Sequence, residues 1–141
     1  MAGEIEDYWP SDFPVVDAPA PVALLEQQAE LLGKHTEGQI QGFVKPHVED
    51  GTAYYSLYLR AEALGDYLYK LLYIAFPTDC DSSKPFSMTA QNAFGGPPVL
   101  IDDAEGFRDW LRQQLSSDRV QVIIGNLLRY IRESRKASRV S

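Results

Sequence analysis

The chain has 141 residues, a 45% apolar fraction and a net charge of −7. That suits one globular domain with a real core, and it argues against nucleic acid as a partner, because so acidic a body repels a polyanion. No apolar run approaches the roughly 20 residues of a membrane span, the acidic start has no signal-peptide pattern, and the lone Cys80 cannot form an internal disulfide, so a cytoplasmic setting without membrane contact is expected.

Charge and proline divide the chain. Residues 1–20 hold five acids (Glu4, Glu6, Asp7, Asp12, Asp17), no base and several prolines. They read as an extended acidic lead-in, with Tyr8, Trp9 and Phe13 free to lie on the domain or to reach a partner. Residues 21–134 read as a single domain and 135–141 as a short basic tail. The cations before and within that tail (Arg129, Arg132, Arg135, Lys136, Arg139) suit a helix C-terminus.

A helix is predicted over Pro21–His35, with Val22, Leu25, Ala29 and Leu32 on one stripe and Thr36-Glu37-Gly38 as its stop. From Gln39 the period becomes two. Asp50-Gly51 is a two-residue hairpin signal, since both turn positions need positive φ. Glu49 opposite Thr52 then sets the register. One face receives Val48/Ala53, Pro46/Tyr55, Val44/Leu57, Gly42/Leu59 and Ile40/Ala61, a core face. The other receives His47/Tyr54, Lys45/Ser56, Phe43/Tyr58 and Gln41/Arg60. Pro46 cannot donate to a ladder, which places the first strand at an edge or at a bulge; an open edge can accept another strand.

Glu62–Asp66 reads as a second turn. Tyr67–Phe76 reads as a third strand, apolar on both sides apart from Lys70. Keeping Lys70 out of the core sends Tyr67, Tyr69 and Tyr73 inward. A fourth strand is expected at Pro85–Gln91 and a loop at Asn92–Pro98. Asp102-Asp103-Ala104-Glu105 has the pattern of a capping box, an N-cap acid with Glu105 at the third helical position and so Asp102 as the cap, opening a helix with Phe107, Trp110, Leu111 and Leu115. A last helix is expected over about Asp118–Ser134, although Val120–Ile124 alone also reads as strand. The fold class is therefore α+β: an N-terminal helix, an antiparallel meander of three to four strands, and two C-terminal helices.

Catalytic equipment is sparse. No nucleophile elbow, phosphate-binding glycine loop or paired helical histidines occur. Asp79-Cys80-Asp81 mixes hard oxygens with one soft thiolate and reads as a solvated loop, so no metal and no cofactor are expected. His35 and His47, the two histidines, read as surface or structural groups.

Six of the eight tyrosines fall between Tyr54 and Tyr73. Tyrosine fills a core or lines a surface made for contact. The expected partner-binding residues are Phe43, Lys45, His47, Tyr54, Tyr58 and Arg60, provided that the C-terminal helices do not cover them. The competing arrangement packs Phe107 and Trp110 on that face. The expected function is a non-enzymatic protein-binding module of the dedicated-chaperone, adaptor or immunity type, acting through the tyrosine-rich face or the open strand edge, with net charge favouring a basic partner. In element order over about residues 21–76, a helix followed by three strands, the chain resembles the start of type III secretion chaperones; no specific motif is shared. The alternative is a small-molecule binder or enzyme with a pocket between sheet and helices, using tyrosine hydroxyls, Arg60 and Asp66. A homodimer closing the edge or the aromatic face is a third expectation.

Overall fold

The computed structural model of the protein describes residues 6–13, 15, 19–79 and 86–140, with side chains through residue 137. Helix α1 (Ala20–His35) starts with Pro21 in its first turn and buries Pro21, Val22, Leu25 and Ala29. Thr36 ends it. The Thr36 hydroxyl lies 2.8 Å from the Ile40 carbonyl and 3.0 Å from that of Leu32, and it accepts the Ile40 N–H at 3.1 Å. One buried side chain thus ties the helix end to the approach of the first strand. Glu37 and Gly38 turn the chain at φ 54° and 79°.

Strands β1 (Gln41–Glu49) and β2 (Thr52–Ala61) form the predicted hairpin, with φ of 50° at Asp50 and 74° at Gly51. The pairing runs from Glu49↔Thr52 to Gln41↔Arg60 in the register read from the turn. In a two-residue hairpin the pair flanking the turn is hydrogen-bonded and the next is not. Gly42, Val44, Pro46 and Val48 therefore direct their backbone groups away from β2, so Pro46 costs the ladder no bond. A short 3-10 turn at Glu62–Leu64 and left-handed Gly65 lead into β3 (Tyr67–Pro77). β4 (Met88–Asn92) and β5 (Val99–Ile101) complete one antiparallel sheet in the order β1-β2-β3-β4-β5. The sheet thus has five strands, beyond the three to four expected. β5 is too short to show a period of its own and forms along β4.

The β2–β3 register shifts between Leu57↔Leu72 and Tyr58↔Lys70, leaving Leu71 as an extra residue on β3. Alternation restarts there. Leu71 and Leu72 are both buried, while Lys70 and Tyr73 share the opposite face although their numbers differ in parity.

Helix α2 (Ala104–Leu115) is capped by Asp103, not by the expected Asp102: its carboxylate accepts the Gly106 N–H at 2.7 Å, which puts Gly106 rather than Glu105 at the third helical position. Helix α3 (Asp118–Val140) follows Ser117, whose hydroxyl accepts the Val120 N–H at 3.2 Å. It is helical through Val120–Ile124 and continues to Val140, past the expected end at Ser134.

One core joins all three helices to a single face of the sheet. Val22, Leu25 and Ala29 of α1, Phe107, Trp110 and Leu111 of α2, and Val120, Leu127 and Ile131 of α3 cluster with Leu57, Leu59, Leu72, Ile74, Phe76, Met88 and Ala90. Gly42 permits the close seat of α1 on β1: a Cβ there would lie 2.7 Å from the Ala29 Cα. The hairpin tip projects beyond the helices, so Val48, expected on the core face, stays 65% exposed.

Candidate functional site: an aromatic, helix-free sheet face

The strand pairings put Phe43, Lys45 and His47 of β1, Tyr54, Ser56, Tyr58 and Arg60 of β2, Lys70 and Tyr73 of β3, and Thr89 and Gln91 of β4 on one face. Phe107 and Trp110 belong to the core on the other side. The two C-terminal helices therefore leave the aromatic residues uncovered. A groove of about 360 Å³ on this face is lined by Lys45, His47, Glu49, Tyr54, Ser56, Tyr58, Lys70 and Tyr73, and every one of these is a strand residue.

The rings form a strip of two contacting groups, Phe43 with Tyr58 and Tyr54 with Tyr73 and His47. Phe43 and Tyr58 stack across the hairpin with centroids 5.5 Å apart and planes 13° from parallel. Tyr54 meets Tyr73 edge-on at 5.6 Å and His47 at 6.2 Å. The Lys70 ammonium stands 4.9 Å from the Tyr73 ring centroid, within cation–π range. Beneath the strip, Ser56 is buried to 6% exposure although no helix covers it; its neighbours' side chains form the cover. Tyr73 is further fixed because its hydroxyl bonds Gln91, whose amide donates to the Gly96 carbonyl at 2.8 Å.

Charge on this face departs from that of the whole chain. Its strands supply Lys45, Arg60 and Lys70 against one acid, Glu49. His47 Nε2 lies 3.1 Å from the Glu49 carboxylate, with both side chains mostly exposed. Arg60 donates twice to Asp66 Oδ1, at 3.2 and 2.9 Å. That hydrogen bond, and then the charge of Asp66, raise the Arg60 pKa above its ordinary value, so the guanidinium stays charged. Lys45 and Lys70 are the face's cations in no ion pair among the described residues.

All six residues singled out in the sequence share this face. Phe43 and Arg60 lie on the face but outside the groove, and sequence reasoning missed Glu49, Ser56, Lys70 and Tyr73, which complete its lining. The expectation that Tyr73 points inward with Tyr67 and Tyr69 fails at the Leu71 bulge. Tyr69 does pack against the core, and Tyr67 lies on the same side as Tyr69 but is 45% exposed. The one trace of the bulge in the sequence is the Leu71-Leu72 doublet, which needs both residues inside.

Between the sheet and the helices lies a cleft of about 160 Å³ lined chiefly by Leu31, Leu32, Leu57, Leu59, Leu71 and Ile124. Arg60 and Asp66 do not line it, and no tyrosine does. Cys80 and Asp81 lie outside the described residues, and among those described no group of three or more metal-ligating side chains occurs.

Comparison of the chain with known protein families, characterised proteins and solved structures finds no match.

Proposed function

We propose that the protein is a non-enzymatic binding module whose helix-free sheet face takes a segment of a partner protein. One observation carries this: three helices cover one side of a five-stranded sheet, and the uncovered side bears Phe43, Tyr54, Tyr58 and Tyr73 with two lysines in no described ion pair. A sheet face left bare for lack of covering elements would be polar, whereas this one invests four rings. Tyrosine and arginine are the residue types that dominate interface energetics. Net charge favours a basic partner for the body as a whole, but Lys45 and Lys70 favour an acidic segment at the face itself. A dedicated chaperone, an adaptor or an immunity-type inhibitor would each use such a surface.

The test is capture of the partner from the native cell by wild-type protein and by Tyr58→Ala, with thermal unfolding of both. Tyr58 is half-buried and outside the core, so the variant should unfold near the wild-type temperature while losing about thirtyfold in affinity, the usual cost of a hot-spot residue. Equal capture by both proteins would refute the face as the binding surface.

A further inference from the structure

We propose that the chain carries its own ligand for this face: the acidic aromatic segment Glu6–Phe13 docks on the groove lined by Lys45, Tyr54, Tyr58, Lys70 and Tyr73, as a strap that a partner must displace. The inference rests on the reading of the face as a binding surface and names the chemistry that it recognises. Two unpartnered sets in one molecule carry it. In the segment, Tyr8, Trp9 and Phe13 are 86%, 74% and 66% exposed, three rings that the structure leaves undocked and uncovered. Glu6, Asp7 and Asp12 flank them, with no base among these residues. On the face, rings again alternate with charge, and the charge is of the opposite sign at Lys45 and Lys70. Local bonds pre-shape the segment: the Asp7 carboxylate accepts the Trp9 N–H at 3.1 Å, and the Trp9 and Phe13 rings lie 5.8 Å apart.

Six residues separate Phe13 from Ala20 and span up to about 20 Å when extended. The helix and sheet layers are about 10 Å apart. Because α1 lies on β1, the edge strand, the chain entering α1 has one edge to round. A tether this short gives an effective concentration near 1 mM, so a segment that binds in trans with a Kd of about 0.1 mM would be docked roughly ten times more often than free. An external ligand of the face would then bind about tenfold more tightly once the strap is disabled.

The experiment measures acrylamide quenching of Trp9 in the full chain, taken as the difference between wild type and Trp9→Phe, which removes the Trp110 signal. It is repeated in Lys45→Glu/Lys70→Glu, whose changes lie on exposed positions, and compared with a synthetic Glu6–Phe13 octapeptide. Circular dichroism confirms that each protein is folded. The expected result is Trp9 markedly less quenchable in the wild type than in the octapeptide, with quenching restored by the double variant or by 0.5 M salt. Trp9 as accessible in the wild type as in the octapeptide would overturn the strap. Protection that grows with protein concentration would overturn it too, by showing that a second copy supplies the segment. Protection that survives the double variant would place the segment elsewhere. None of these failures bears on the Tyr58→Ala capture assay, which tests the face itself.

Discussion

Gly42→Ala separates packing from propensity by sign. Gly42 does not occupy the left-handed region, so an alanine there is conformationally allowed and would ordinarily gain about 0.5–1 kcal/mol by restricting the unfolded chain. Its Cβ, however, would stand 2.7 Å from the Ala29 Cα, 2.9 Å from the Ala29 carbonyl oxygen and 3.0 Å from the Ala29 Cβ, where ordinary contact is 3.4–4 Å. Two of these atoms are backbone, so no rotamer relieves the clash and α1 must withdraw from β1. Overpacking of this kind costs about 1–3 kcal/mol, which leaves a net loss of up to about 2.5 kcal/mol, centred a little above 1, after the propensity gain. For a domain of this size that lowers Tm by roughly 4–8 °C. Urea unfolding and calorimetry read it directly. Gly125→Ala is the control: nothing lies within 4 Å of its added methyl in the middle of α3, so it should stabilise by up to about 1 kcal/mol. A Gly42→Ala protein as stable as wild type, or more so, would refute the close seat of the helix on the edge strand.

Thr36→Val keeps the shape but removes the hydroxyl that accepts the buried Ile40 N–H, and should cost about 1–3 kcal/mol in urea unfolding. Asp103→Ala removes the cap of α2 and should cost about 1 kcal/mol, whereas Asp102→Ala should cost little, a contrast that thermal melts resolve.

Much of the fold was legible because local chemistry agreed with global packing. Asp50-Gly51 favours one turn geometry, and that turn sets nine strand pairs and separates Leu57 and Leu59 from Tyr54 and Tyr58. Where two rules competed, the reading slipped. Asp102 and Asp103 are equally good caps by type, and the chain path chose the second. β3 defeated parity because the bulge restarts alternation at Leu71, a backbone event marked in the sequence only by the Leu71-Leu72 doublet. The place of Tyr73 in the groove was hidden by that single residue. Whether the last helices covered the rings was illegible for a different reason: an amphipathic helix states that it has an apolar side, not which face of a sheet will receive it.

The two borders of the sheet bear on how the protein behaves in a crowded solution. Lateral growth into a cross-β stack needs a row of free N–H groups repeating every second residue along an exposed strand. On β1 that row is Gly42, Val44, Pro46 and Val48, and proline interrupts it after two donors. β5 offers only three residues. A chain that keeps rings exposed on a sheet face thus denies neighbouring copies a template along its edges. That lets it stay sticky towards one kind of segment without becoming a seed for fibrils.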